Sequence, residues 1–212
     1  MDIFYLEGLP APVTKEELYK ALHIGEADSE TAKDILRLVN GAADIALPKS
    51  IVCKVSAAHA IDTISSEFVK NKLSVSMYVY PFAVTCGKEL DELAADDMFG
   101  TFAKDVLKEL YLRKMISLTA DRIKNACFSC SDMSCVSPGS LESRWSISGQ
   151  AELFRLIGSN IEKTGITLTE SFLMLPEKSV SGIWYSDSEH FENCMLCPRT
   201  DCPSRRCQYK EK

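Results

Sequence analysis

The feature that most constrains the fold is a stretch from Thr101 to Asn125 that contains neither proline nor glycine. Apolar residues recur along it near the three-to-four-residue spacing of an α-helix, at Phe102, Val106, Leu110, Met115, Leu118 and Ile123. The pattern predicts one long, largely buried helix. We expect it to be the central helix of the molecule.

One strand and two shorter helices are predicted before the long helix. Residues 3–7 form an apolar run typical of a strand. Thr14 and Glu17 then have the Ser/Thr-x-x-Glu spacing of a capping box and predict a helix start. A second helix is predicted from Ser29 to about Ala46.

The remaining elements predict an α+β fold. Four apolar runs are typical of strands, at 50–56, 74–85, 166–175 and 179–186, the last two joined by a tight turn at 176–178. Helices are expected at 61–72 and at 148–163, with Gly165 ending the second. We therefore predict a single α+β domain over 1–186, with a mixed or antiparallel sheet and helices on one side. Residues 187–212 form a cysteine-rich C-terminal tail.

Composition excludes several classes of function. The 212-residue chain carries a formal net charge of -6, so it offers no basic surface for nucleic acid or anionic membranes. We expect a cytoplasmic protein, because no secretory signal or membrane-length apolar run is present.

The sequence also lacks the motifs of several common enzyme classes. Phosphate-loop, dinucleotide-binding and serine-hydrolase motifs are absent. His23, His59 and His190 have no metal-ligand spacing and are interpreted as surface or structural residues.

The cysteines supply the main chemical signal. Two motifs share the spacing Cys-x2-Cys-x4-Cys, at 127–135 and at 194–202, and another cysteine follows at 207. A Cys-x-x-Cys turn presents two thiolates on one side of a loop, as zinc and iron–sulfur sites require. We predict a four-thiolate metal site and favour an iron–sulfur cluster over zinc. Its ligands would be Cys194, Cys197, Cys202 and Cys207. A tail without metal is the alternative.

The other cysteines allow more than one interpretation. Cys127, Cys130 and Cys135 fit a redox or exposed-loop trio, or a single cluster shared with the tail. Cys53 and Cys86 lie in apolar, strand-like sequence and are predicted to be buried thiols.

Residues 165–185, GITLTESFLMLPEKSVSGIWY, contain a Leu-Thr-Glu-Ser run, a Met-x-Pro step and a Ser-Val-Ser-Gly run. In this order they closely resemble the reactivation (activation) domain of cobalamin-dependent methionine synthase. The segment 137–139, Ser-Pro-Gly, and Trp145 also resemble that family, and residues 83–87 are similar to its free-standing members from anaerobes. The resemblance extends over about residues 80–186.

The resemblance implies a C-shaped α+β domain that binds S-adenosylmethionine and docks on a cobalamin-bearing domain, where inactive cob(II)alamin is reduced and remethylated. The chain lacks the Asp-x-His-x-x-Gly corrinoid motif, so cobalamin would reside on a partner. The implied function is a stand-alone reactivation partner that acts in trans on a cobalamin-dependent methyltransferase. In that role the tail cluster would pass electrons to the corrinoid. The alternatives are a non-catalytic module that binds a corrinoid protein, and a small iron–sulfur or zinc protein.

The resemblance also implies ligand-binding residues, at Ser137, Pro138, Gly139, Glu170, Ser179, Ser181 and Gly182. The turn at 176–178 is expected to bring Glu170, Ser179 and Ser181 near one another. The family's Arg-x-x-Pro-Gly-Tyr segment corresponds to residues 135–140, with Cys135 in place of the arginine and Ser140 in place of the tyrosine. The family's acidic contact on the long helix falls near Ile116 and Ser117, where no carboxylate is present. Arg144, Glu142 and Asp121 are candidate substitutes for the lost groups.

Overall fold

The computed structural model describes residues 2–25, 29–95, 97–128, 132–139 and 144–187, together with 195, 197–199, 201 and 207–209 of the C-terminal tail. The α-helices are α1 (Lys15–Leu22), α2 (Ser29–Ile45), α3 (Ala57–Thr63), α4 (Glu67–Leu73), α5 (Met98–Cys127) and α6 (Gly149–Ile157). Short 3-10 helices cover Glu89–Glu92 and Gly158–Thr164. The strands are β1 (Ile3–Glu7), β2 (Lys49–Cys53), β3 (Val55–Ser56), β4 (Tyr78–Thr85), β5 (Met133–Val136), β6 (Thr167–Leu168), β7 (Met174–Leu175) and β8 (Ser179–Ser186).

One sheet organises the domain. Its strands lie in the order β1-β2-β4-β8-β5, and β3 pairs with the start of β4. Each pairing that the structure describes is antiparallel. The predicted α+β class with an antiparallel sheet is therefore confirmed.

Helices cover both faces of this sheet, so the prediction of helices on one side is wrong. Val180 and Trp184 of β8 pack into an apolar core with α1, α2 and α5. Ile183 and Tyr185 point to the opposite face and pack with α3, α4 and α6. Because neighbouring residues of a strand alternate between faces, an uninterrupted apolar run such as 183–185 is typical of a strand that is covered on both sides.

The long predicted helix is confirmed as α5. The Asp97 side chain caps it by accepting a hydrogen bond from the Gly100 N–H at 2.6 Å. Leu107, Tyr111 and Met115 are buried along one side of α5, whereas Phe102 is 57% exposed. The helix therefore covers one face of the sheet, and the strands β4 and β8 occupy the centre of the molecule.

Three predicted elements are divided in the structure. The helix expected at 61–72 is the pair α3 and α4, because Ser66 begins a new helix by accepting a hydrogen bond from the Val69 N–H at 3.4 Å. The strand expected at 50–56 is divided into β2 and β3 by Lys54. The helix expected at 148–163 changes to a 3-10 helix at Gly158, and Gly165 ends it with a φ of 72° as predicted.

The strand expected at 166–175 is wrong in its pairing. Thr169 forms a turn in which its side-chain oxygen accepts a hydrogen bond from the Leu173 N–H at 3.0 Å. The segment consequently folds on itself, and β6 pairs with β7 in a separate two-stranded hairpin. β8 pairs instead with β4 and β5.

Candidate functional site

Two of the predicted ligand-binding residues are in direct contact where β5 ends beside β8. Cys135 lies opposite Trp184, and Val136 lies opposite Ile183. A Cβ atom added at Gly182 would lie 2.7 Å from both the Ser137 Oγ and the Val136 carbonyl oxygen. Glycine is therefore required at position 182 because the backbone of the neighbouring strand approaches too closely for a side chain.

Cys135, where the resemblance implies that the family's arginine is replaced, is part of the apolar core. Its side chain is only 8% exposed and lies beside Trp184, whose ring stacks on that of Phe82 with centroids 3.9 Å apart. The Cys135 Sγ is 3.9 Å from the Ser137 Oγ. No cation stands at position 135, so this position cannot form the guanidinium–carboxylate pair that the resemblance implies.

Three other predicted residues have different surroundings, although Ser179 and Ser181 lie on β8 with Gly182. Ser181 is buried on the α6 face of the sheet and donates a hydrogen bond to the Gln150 Oε1 at 2.7 Å. Ser179 donates to the Pro176 carbonyl oxygen at 2.6 Å, and Glu170 is exposed in the turn between β6 and β7. The roles of these residues as ligand contacts stay a prediction.

Pro138 and Gly139 belong to a turn that is held by Trp145. Pro138 is buried and Gly139 is exposed with a φ of 78°. The Gly139 N–H donates to the Trp145 carbonyl oxygen at 2.8 Å. The backbone N–H of Gly139 is therefore engaged within the turn, while its exposed position leaves the residue accessible.

A buried indole fixes this turn to α6. The ring of Trp145 is buried and its Nε1–H donates to the Glu152 Oε2 at 2.9 Å. The same carboxylate oxygen accepts from the Ser65 N–H at 3.1 Å. Burial acts to raise the pKa of Glu152, but the hydrogen bonds from Trp145 and Ser65 outweigh it and lower the pKa. A Cβ atom at Gly149 would lie 2.1 Å from the Trp145 Nε1, so the ring requires glycine there.

A cavity of about 370 Å³ lies where the resemblance places the acidic contact. Its walls are the loop between β1 and α1 and the C-terminal half of α5. The lining residues are Leu9, Pro10, Ala11, Arg113, Lys114, Ser117 and Leu118. We call this the Ser117 cavity. Its volume lies within the range of small-molecule sites, and apolar walls with a few polar groups are their usual composition.

Charged contacts fix the walls of the Ser117 cavity. The Lys114 ammonium donates to the Pro12 carbonyl oxygen at 3.0 Å and pairs with the Glu17 carboxylate at 2.7 Å. Burial acts to raise the pKa of Glu17, but the hydrogen bonds from Lys114 and Thr14 outweigh it and lower the pKa. Arg113 pairs with Glu109 at 2.9 Å. The loop before α1 is thus tied to α5, and the cavity wall contains the paired Arg113 guanidinium and the Ser117 hydroxyl group.

The resemblance placed the family's acidic contact near Ile116 and Ser117, where there is no carboxylate, and sequence reasoning missed the loop that completes this cavity. Leu9, Pro10 and Ala11 lie about one hundred positions before α5 in the chain, and no local pattern shows that the two segments meet. The sequence signals that could have indicated this cavity are the two prolines at positions 10 and 12 and the adjacent cations at 113 and 114.

The structure tests the cysteine predictions in part. Cys53 and Cys86 are buried as predicted, and burial raises the pKa of their thiols to about 11 and about 12. Cys130, Cys194 and Cys202 lie outside the described residues, so the four-thiolate site stays a prediction. Within the described part of the chain, no group of three or more histidine, cysteine or acidic side chains is arranged to hold a metal.

Two further expectations concern the histidines and membrane-spanning helices. His23 ends α1 and His59 lies on α3, and both are exposed, as predicted for surface residues; His190 lies outside the described residues. Among the described helices, none combines the length and apolar character needed to cross a membrane.

Sequence and fold both support the resemblance. A family model described as the activation domain of vitamin B12-dependent methionine synthase matches residues 143–194. No curated protein matches the sequence significantly. The crystal structure of the MetH reactivation domain bound to AdoHcy superimposes with a TM-score of 0.59 at 15% identity, over 91% of this chain and 80% of that chain. The predicted resemblance is thus confirmed: the chain has the fold of the methionine synthase reactivation domain, and residues 143–194 match that activation-domain family in sequence.

Proposed function

We propose that this protein is a reactivation partner that acts in trans on a cobalamin-dependent methyltransferase of the methionine synthase type, and that it binds S-adenosylmethionine for that purpose. The match of residues 143–194 to the activation-domain family carries this proposal. The structurally similar reactivation domain was crystallised with AdoHcy. Cobalamin and the methyl acceptor would belong to the partner.

The Ser117 cavity is the proposed ligand site. It lies at the position on α5 where the resemblance implies a ligand contact, and it contains a cation close to that position. Arg113 and Ser117 are four residues apart and line the same cavity. The Arg113 guanidinium, which pairs with Glu109, would also hold the ligand's carboxylate, a task that Cys135 cannot perform. Leu9, Pro10 and Leu118 would supply apolar walls for the adenosine.

Calorimetric titration of the anaerobically purified chain with S-adenosylmethionine and with S-adenosylhomocysteine tests this proposal. We expect micromolar dissociation constants and about a tenfold loss of affinity in R113M, since a hydrogen-bonded charge pair contributes about 1.5–3 kcal/mol. R37M is the matched control, because Arg37 is an exposed helical arginine on α2. Absence of binding at millimolar ligand, or equal affinities of both variants, would refute the site.

One observation favours the second candidate function, a module that binds a corrinoid protein without using S-adenosylmethionine. The family's arginine is replaced by a buried cysteine that packs in the core. If the titration shows no binding, co-purification with a cobalamin-binding methyltransferase domain would support this candidate. A chain that binds neither would contradict both functions.

The metal site of the tail is a separate part of the proposal. We propose that Cys194, Cys197, Cys202 and Cys207 hold an iron–sulfur cluster or zinc, and their spacing is the support for it. Of these, the structure describes Cys197 and Cys207, both partly buried. Iron, zinc and acid-labile sulfide should be measured on anaerobic protein and on a variant truncated after residue 187. Metal that is absent from both preparations would refute this part alone.

A further inference from the structure

We propose that a second cavity, lined by Lys88, Asp91, Lys108, Gly165, Thr167, Leu175, Pro176 and Glu177, binds a free α-amino acid with an apolar side chain. The cavity measures about 490 Å³ and lies between α5, the 3-10 helix Glu89–Glu92 and the hairpin of β6 and β7. We call it the Lys108 cavity. Residues nine positions apart on an α-helix point in directions about 180° apart, so Lys108 and Ser117 lie on opposite faces of α5 and the two cavities are distinct.

Charge determines which ligand fits the Lys108 cavity. The Lys108 ammonium pairs with the Asp91 carboxylate, so this pair contributes no net charge. Burial acts to lower the pKa of Lys108, but the hydrogen bond from its ammonium to Asp91 outweighs it and raises the pKa, which keeps the lysine protonated.

Two charged residues of the lining remain for a ligand. Within the described part of the chain, neither Lys88 nor Glu177 forms an ion pair or a side-chain hydrogen bond, and both are exposed at the cavity. One cation and one anion therefore face the same space. A ligand with a single charge would satisfy one of them and lie close to the other, whereas a zwitterion would satisfy both.

The apolar part of the ligand is indicated by the hairpin wall. Leu175 is 46% exposed and Pro176 lies next to it in the lining. An apolar side chain that covers Leu175 would remove hydrocarbon surface from water, which contributes about 25 cal/mol per Å². An α-amino acid with an aliphatic side chain combines this apolar group with the two opposite charges.

Both walls are held in place before a ligand binds. The Lys104 ammonium donates to the Asp91 and Leu93 carbonyl oxygens at 3.0 and 2.8 Å, which ties the 3-10 helix to α5. On the other side, Lys178 pairs with Asp105 of α5 at 2.9 Å. A site whose walls are already ordered loses little conformational entropy on binding.

L-Leucine is the probe, and two of its derivatives test the charges. N-acetyl-L-leucine lacks the ammonium group and L-leucinamide lacks the carboxylate. Titration monitored by NMR chemical shifts should show L-leucine binding with a dissociation constant below 10 mM and about tenfold weaker binding of each derivative, because each loses one charge-assisted contact.

Variants assign each charge to its residue. K88M should weaken L-leucine about tenfold and leave L-leucinamide unchanged, whereas E177Q should weaken L-leucine and leave N-acetyl-L-leucine unchanged. K163M, with an exposed lysine on the neighbouring 3-10 helix, is the control. No L-leucine binding at 10 mM, equal binding of all three compounds, or unaltered binding in K88M and E177Q would overturn the proposal. Titration of K88M with S-adenosylmethionine separates this result from the proposed function, since R113M and not K88M should weaken that ligand.

Discussion

Replacement of Gly149 by alanine tests the packing that fixes the turn at 144–148. The added methyl carbon would lie 2.1 Å from Nε1 and 2.5 Å from Cδ1 of Trp145, far inside contact distance. Trp145 is 2% exposed, so its ring cannot move without disturbing the core. The ring would have to shift and leave the Glu152 carboxylate.

The magnitude follows from three contributions. Overpacking costs about 1–3 kcal/mol, and loss of a hydrogen bond to a charged group costs about 1.5–3 kcal/mol. Alanine in place of glycine in a helix returns up to about 1 kcal/mol. We expect Gly149→Ala to lower the free energy of unfolding by about 3 kcal/mol and the melting temperature by roughly 6–12 °C for a domain of this size.

Urea unfolding followed by circular dichroism measures this change, and a double-mutant cycle locates its origin. Trp145→Ala alone should cost about 3–5 kcal/mol. In that background the Gly149→Ala cost should disappear, because the ring that it displaces is gone. Gly25→Ala is the control, since a Cβ at Gly25 meets nothing within 4 Å. A stable Gly149→Ala protein, or additive costs in the double variant, would refute the reasoning.

Three further predictions concern stability. Gly182→Ala should cost about 1–3 kcal/mol in urea unfolding through its close contacts with Ser137 and the β5 backbone; an unchanged midpoint would contradict this. Thr119→Val should cost about 1–3 kcal/mol, because it removes the 2.8 Å hydrogen bond with the buried Ser50 hydroxyl, and Ser50→Ala in the same background should recover part of the loss. The pKa of Glu152 is lowered by folding. The ionised carboxylate therefore stabilises the folded protein above the unfolded-state pKa of about 4.3, and this stabilisation is lost as the pH falls through that value and below. Glu152→Gln should therefore cost most near pH 7 and least near pH 3, and a cost that is independent of pH would show that the charge has no role.

Local signals predicted local structure correctly. The Thr14–Glu17 capping box is present with both of its hydrogen bonds, at 3.3 Å and 2.8 Å, because both partners belong to one helical turn. Residues 98–127 form one helix because the stretch lacks proline, and its only glycine, Gly100, lies in the first turn. Such features depend on neighbours within a few residues.

Long-range pairing was less predictable. The apolar pattern of 166–175 is compatible with a strand, and only the hydrogen bonds of Thr169 show that this segment turns back on itself. Likewise, the residues of β8 could not show which helices cover each of its faces. That outcome depends on α3, α4 and α6, which pack on the side opposite α5.

None of the predicted site residues that the structure describes lines the Ser117 cavity. Gly182 of the Ser-Val-Ser-Gly run lies against Ser137 at the end of β5, and a ligand role for these two residues stays a prediction. The sequence could not show that Cys135 is buried beside Trp184, nor that Leu9 and Ser117 share a cavity. These contacts arise from packing between segments that are distant in the chain.

The alternation of β4 has a consequence for how the domain opens. Phe82 belongs to the core on one face and Ala83 to the core on the other, and the same holds for Trp184 and Ile183 of β8. Neither core can be exposed without separating strands that also support the other. The amide hydrogens of β4 and β8 should therefore exchange with solvent only through global unfolding, so that the two cores melt as one cooperative unit.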